Sequence, residues 1–188
     1  MQPVAVLDLF RQCGALLEGH FVLSSGLHTS GYLQCARVLQ HPTHAATLGA
    51  AIAKRVIAYQ PELVLSPALG GLIIGHEVAR AHGVRALFAE RKEGKLMLRR
   101  GFSLQSGERV LIVEDVITTG GSTRETMAVA KQAGGEVVGV SAIINRGGTA
   151  ISFGVPFETL GDISCPTHEP ADCPLCVQGI PVGKPGSR

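Results

Sequence analysis

From residue 109 the chain runs Arg109 to Val113 as an unbroken apolar stretch, meets two acids at Glu114 and Asp115, and passes through Thr118-Thr119-Gly120-Gly121-Ser122-Thr123. Helical spacing follows from about Ser122 to Ala133, and a second apolar stretch covers Val137 to Ile144. A strand apolar on both faces has to be covered on both faces, which is the habit of parallel sheets with crossover helices. Leu63-Val64-Leu65 leads in the same way through Pro67-Ala68-Leu69-Gly70-Gly71 into a helix to about His82, and Val84 to Ala89 reads as another strand. The pattern predicts an α/β fold, a doubly wound and mostly parallel sheet flanked by helices.

Ahead of this rhythm, residues 1–40 read as a small α+β hood. Val4, Leu7, Phe10, Leu16 and Leu17 predict a helix over 4–18 ended by Gly19, and short β-prone pieces around Ser24-Ser25-Gly26 and Ser30-Gly31 predict a hairpin over 20–35. A further helix follows Pro42 and stops before Pro61. Residues 162–188 form a Cys/Pro-rich tail. With 188 residues against about 150 per domain, the whole chain, 1–188, reads as a single domain.

Charge and cysteines narrow the setting. A net charge of +2 is too small to argue for a nucleic-acid partner. The N-terminus lacks a basic region before an apolar core, and no run approaches the ~18 apolar residues of a membrane helix, so neither export nor a membrane partner is expected. Five cysteines are an odd number and an unpromising disulfide framework, which fits a reduced, cytoplasmic setting.

Ligands of open parallel sheets bind where strands lead into helices. After Asp115, a Thr/Gly/Ser loop opening a helix offers backbone N–H groups to a phosphate dianion, and Thr118, Thr119, Ser122 and Thr123 can add hydroxyl donors. Carboxylates have no use for that phosphate. Glu114 and Asp115 therefore face sugar hydroxyls, a magnesium ion or a developing positive charge. Neither a Gly-x-x-x-x-Gly-Lys-Ser/Thr nor a Gly-x-Gly-x-x-Gly after a strand is present.

The segment Val110 to Thr123 resembles the phosphoribosyl pyrophosphate signature of type I phosphoribosyltransferases: an apolar run, two acids, two variable residues, Thr, then a Gly/Ser/Thr loop. The resemblance implies that Glu114 and Asp115 hold the ribose 2- and 3-hydroxyls and that Thr118, Thr119, Gly120, Gly121, Ser122 and Thr123 hold the 5-phosphate. Ala68, Leu69, Gly70 and Gly71 then stand where the family places its pyrophosphate loop.

Three more segments are similar to the orotate phosphoribosyltransferases. Glu90-Arg91-Lys92-Glu93-Gly94-Lys95 resembles the start of their mobile loop, whose cations (here Arg91, Lys92 and Lys95, with Asp115 as the acidic member) act in catalysis. Phe21 to Tyr32 resembles the hood segment that covers the base, which implicates Ser24 and Tyr32. Arg146, after Ile143-Ile144-Asn145, stands where those enzymes bind the pyrimidine, with Thr118 beside it. Departures occur at Ser24, where several members carry lysine, at Leu33, and at Met97 in a compressed loop; there Arg99 or Arg100 is expected to share the cationic role.

The resemblance implies orotate phosphoribosyltransferase activity in pyrimidine biosynthesis, with Mg2+ carried by substrate oxygens rather than by a direct protein ligand. It also implies a homodimer in which loop cations reach the neighbour's site. Transfer to another pyrimidine or a purine, and a non-catalytic sensor of phosphoribosyl pyrophosphate, are the alternatives. In the tail, Cys165, His168, Cys173 and Cys176 have the ligand types of tetrahedral zinc; the competing reading is thiols packed on the body.

Overall fold

The computed structural model describes residues 3–23, 26–148 and 151–184. The hood segment supplies α1 (Pro3–Gln12), β1 (Leu16–Val22) and β2 (His28–Leu33), followed by a one-turn α2 (Ala36–Leu39) and α3 (Pro42–Arg55). Then come β3 (Leu63–Pro67), α4 (Gly71–His82), β4 (Arg85–Lys92), β5 (Lys95–Leu98), β6 (Arg109–Ile117), α5 (Gly121–Gln132), β7 (Glu136–Asn145) and β8 (Phe157–Asp162). The tail adds β9 (Thr167–His168) and α6 (Pro174–Val177).

The main sheet has the order β5-β4-β3-β6-β7-β8. Its strands are parallel except β5, which turns back on β4. Alternation along the apolar strands divides the core. Val64, Leu111 and Val113 join α1, α3 and α4 on one face, with Phe10, Leu48, Ile52 and Ile74 fully buried among them. Leu63, Leu65, Val110 and Ile112 face α5 through Met127, Val129 and Ala130. That two-sided burial is why these strands carry no polar alternation. The chain winds outward from β3 to β4, returns to β6 on the other side, and winds outward again. The carboxyl ends of β3 and β6 thus flank the switch point, where crevices form in open α/β sheets.

The structure departs from the sequence expectations at four places. The first helix stops at Gln12, not near residue 18, because Gly14 takes φ +58° and its N–H bonds the Arg11 carbonyl, while that of Ala15 bonds the Phe10 carbonyl. Leu16 and Leu17 are consequently strand residues. β6 continues through the acidic pair to Ile117. The expected cationic loop is a tight β4–β5 hairpin, turned by consecutive positive φ at Glu93 (51°) and Gly94 (83°). The hood sheet gains a third strand from the tail, in the order β1-β2-β9. Among the described residues, no helix is long and apolar enough to cross a membrane.

Candidate active site

At the end of β6, Glu114 and residues 116–123 line a cradle of about 90 Å3. Gly120 takes φ +76° as the N-cap of α5, and no side chain caps that helix start, so its first N–H groups stay open to an anion. Arg124, which sequence reasoning passed over, pins the loop: it donates to the Thr119 carbonyl at 2.7 Å and lies 5.0 Å from the centre of the Phe153 ring. Thr118, Thr119 and Ser122 are exposed, as phosphate donors need to be. Thr123 is not: it is 1% exposed and its side chain hydrogen-bonds Glu114. Its side chain therefore faces the acid and not the open side of the loop.

Glu114 is 8% exposed, and burial, then the charge of Asp115, push its carboxyl from 4.5 up to about 8; the Thr123 hydrogen bond opposes this. Burial also raises Asp115, against hydrogen bonds that include the Val116 N–H at 2.9 Å. The pair is thus poised for a positively charged guest. Cys35, also unforeseen, is buried nearby, its thiol raised by burial and then by Asp115 and Glu114.

The expected pyrophosphate loop, Ala68 to Gly71, lies beside these acids. The Ala68 N–H bonds the Ala89 carbonyl at 2.8 Å, the Ala68–Leu69 peptide is cis, and Leu69 stands 82% exposed. A Cβ on Gly70 would sit 2.7 and 2.9 Å from the Asp115 carboxylate oxygens, so only glycine lets the loop approach them.

A larger cleft of about 650 Å3 opens on the other side of Thr118 and Thr119, lined also by Leu23, Leu27, Arg146, Gly147, Ile151, Cys165 and Thr167. The Arg146 N–H bonds the Ile117 carbonyl at 2.7 Å, fixing the residue at the strand end, and its Nη2 reaches the Gly31 carbonyl at 3.4 Å. Its Nε is buried with no partner among the described residues. Tyr32 lies elsewhere, its ring 6.1 Å from that of Phe21, and does not line the cleft. Ser24 falls outside the described residues.

The expected cations line neither cavity. Arg91 pairs with Glu125 of α5 at 3.0 Å and donates to the Gly94 carbonyl, while Lys92 (3.8 Å from Glu93) and Lys95 are exposed at the hairpin turn. Arg100 binds Glu90 bidentately at 2.6 and 2.8 Å, with Arg99 3.7 Å from the same carboxylate. In this ligand-free conformation both face Glu90.

The four possible zinc ligands of the tail do not come together. Cys165 lines the cleft and presses on Gly31, its Sγ 2.7 Å from where a Cβ there would be. His168 pairs through its backbone with His28 at the sheet edge. Cys173 and Cys176 turn instead toward His20 and His28, histidines for which the sequence offered no partner.

Comparison with known proteins places this geometry. The phosphoribosyl transferase domain family matches residues 35–151. The orotate phosphoribosyltransferase of Desulforamulus reducens is 51% identical over 188 residues, covering 100% of this chain and 98% of that protein. That of Thermotoga maritima is 49% identical over 183 residues, covering 97% and 98%. Among solved structures, the orotate phosphoribosyltransferase of Mycobacterium tuberculosis, in complex with Fe(III) dicitrate, superposes with a TM-score of 0.71 at 24% identity, covering 86% of this chain and 96% of that one.

Proposed function

The chain belongs to the orotate phosphoribosyltransferases of the phosphoribosyltransferase family, and from that premise we propose that it transfers the 5-phosphoribosyl group of phosphoribosyl pyrophosphate to orotate, giving orotidine 5-phosphate and pyrophosphate. The observation that carries the base assignment is Arg146: a half-buried arginine lining the cleft that adjoins the phosphate cradle, its Nε without a partner among the described residues. A carboxylated, carbonyl-rich pyrimidine supplies the acceptors that such a fork lacks.

The backbone amides of Thr118 to Ser122 and the start of α5 hold the 5-phosphate, and Glu114 and Asp115 accept hydrogen bonds from the ribose hydroxyls. Ala68 to Gly71 present backbone to the pyrophosphate. As the glycosidic carbon–oxygen bond breaks, positive charge grows on the sugar ring. The two desolvated carboxylates are placed to favour it, since they lack a compensating cation of their own among the described residues. The base nitrogen then bonds the anomeric carbon and gives up its N–H proton to a pyrophosphate oxygen or to water, while the electron pair of the broken carbon–oxygen bond leaves with pyrophosphate.

Magnesium fits this donor set, because two carboxylates raised by burial gain most from a hard cation carried in by pyrophosphate and ribose oxygens. When bound, the ion supplies charge neutralisation on the leaving group. Lys92 and Lys95 stand at the exposed hairpin turn, beyond their own chain's cleft, and Arg91 lies at its base. That placement supports a homodimer in which each hairpin closes on the neighbouring site.

The test follows orotate absorbance with magnesium and phosphoribosyl pyrophosphate present, on the native chain and on Asp115→Asn. Turnover that falls at least ~100-fold in the variant supports the reading. An inert native chain with orotate that turns over uracil or a purine would remove the Arg146 assignment and leave the transferase chemistry.

A further inference from the structure

The register between β1 and β2 slips between Glu18 and Phe21. A bulge of this kind re-aims a side chain, and here His20 turns inward to 4% exposure. His28, the first residue of β2, faces it, with His20 Nε2 and His28 Nδ1 2.8 Å apart. The tail returns to the same place. Cys173, fully buried, is the N-cap of α6 and Cys176, exposed, lies within that helix, in a Cys-Pro-Leu-Cys turn. Their Sγ atoms lie 3.6 and 3.7 Å from His20 Nε2, and Cys176 Sγ lies 3.3 Å from His28 Nδ1.

All four donor atoms lie within 4.8 Å of one another. Tetrahedral zinc, with bonds of about 2.0–2.1 Å to nitrogen and about 2.3 Å to sulfur, sets a nitrogen–sulfur edge of ~3.6 Å, in line with the separations above. The imidazole pair is closer than the ~3.3 Å edge such a site needs, a small adjustment for two side chains now sharing a hydrogen bond. The protonation pattern is prepared at His20, whereas His28 Nδ1, the donor of the bond between the two rings, has to pass its proton to Nε2 when a metal binds. His20 Nδ1 lies 2.7 Å from the Ile180 carbonyl, which can only accept, so Nδ1 carries the proton and Nε2 turns its lone pair to the cluster. The Ile180 segment is itself tied down, because the Gly183 N–H bonds the His20 carbonyl at 2.7 Å and the Val22 N–H bonds the Gly183 carbonyl at 2.9 Å.

We propose that His20, His28, Cys173 and Cys176 form a structural zinc site that clips the C-terminal tail to the hood. Soft thiolates with imidazoles select zinc over the magnesium of the reaction, and the two thiols release their protons on binding. Four protein ligands leave no open position, so the site is structural and not catalytic. Exposed Cys176 gives the ion its way in. The clip bears on the base end of the cleft, since Thr167 pairs with Thr29 in the strand beside His28 and itself lines the cleft.

The experiment measures metal content on the full, tag-free chain purified without chelator, together with the spectrum after replacement by cobalt(II). About one zinc per chain is expected, lost in Cys176→Ser and His28→Ala but retained in Cys165→Ser and His168→Asn. Cobalt should give tetrahedral ligand-field bands with thiolate charge transfer. Chelation should lower Tm, with recovery on zinc but not on magnesium. A native chain that takes up neither zinc nor cobalt overturns the proposal, even if the variants fail to fold. Loss of zinc in Cys165→Ser with retention in Cys176→Ser overturns it equally, as does a Cys173–Cys176 disulfide in protein kept under reducing conditions.

Discussion

The phosphate cradle and the base cleft share Thr118 and Thr119 yet are built in opposite ways. The cradle is one continuous stretch, the end of β6 and the start of α5, shaped by local φ angles and open backbone N–H groups. The cleft is assembled from distant pieces: Leu23 and Leu27 of the hood, Arg146 after β7, and Cys165 and Thr167 of the tail. A site made of consecutive residues works as soon as its turn forms. A site made of separate segments depends on whatever holds them together.

The largest effect should come from breaking the cradle itself. In Gly120→Val, a Cβ would meet the Arg124 Nη1 and the Phe153 ring at 2.8 Å, in a backbone conformation that β-branched residues avoid. Binding of phosphoribosyl pyrophosphate, read by calorimetry, should weaken more than ~100-fold, because the turn that presents the anion-binding amides is lost. Preserved affinity would show that the loop's shape is not what holds the phosphate.

Arg146→Ala attacks the other region. Loss of hydrogen bonds to a charged group costs about 1.5–3 kcal/mol, so kcat/KM for orotate should fall roughly 10- to 150-fold while the Kd of phosphoribosyl pyrophosphate stays within about 3-fold. Equal losses in both quantities would mean that the two regions are not separable.

This asymmetry also governs what could be read in the sequence. The cradle, the acidic pair and the Gly70 loop were legible because each is a short segment whose residue types state its chemistry. The parallel sheet was legible from apolar runs. The end of α1 was missed because Leu16 and Leu17 continue a helical spacing, while the signal that stops it is the single Gly14. The β4–β5 hairpin was hidden by its charges, and the tail's strand by its two-residue length. Cys173 and Cys176 were legible as ligand types, but their meeting with His20 and His28 was not, since the two pairs lie at opposite ends of the chain.

A pH experiment sharpens the account of the acids. The Glu114 carboxyl rises from 4.5 to about 8 on folding, so it contributes stability while protonated: fully below pH 4.5, and lost as pH climbs through about 8. Ligand-free stability should therefore fall by about 1–3 kcal/mol across that window, and Glu114→Gln should flatten the fall. Magnesium and phosphoribosyl pyrophosphate pull the value back down, so binding at pH 7 should release close to one proton, seen by calorimetry in buffers of different ionisation enthalpy. Binding without proton release would contradict the assigned state.

Thr123→Val should have the smallest effect. It removes the hydrogen bond that steadies Glu114, and about 1 kcal/mol or a few-fold in kcat/KM is expected, with phosphate affinity little changed. A large loss of phosphate affinity would return Thr123 to the cradle.

A crystal structure with phosphoribosyl pyrophosphate, magnesium and orotate bound would show both regions of the site occupied at once. The 5-phosphate is expected on the amides of Thr118 to Ser122, the ribose hydroxyls on Glu114 and Asp115, and the orotate within hydrogen-bond reach of Arg146. A base bound away from Arg146, or a 5-phosphate outside the loop between β6 and α5, would contradict this assignment.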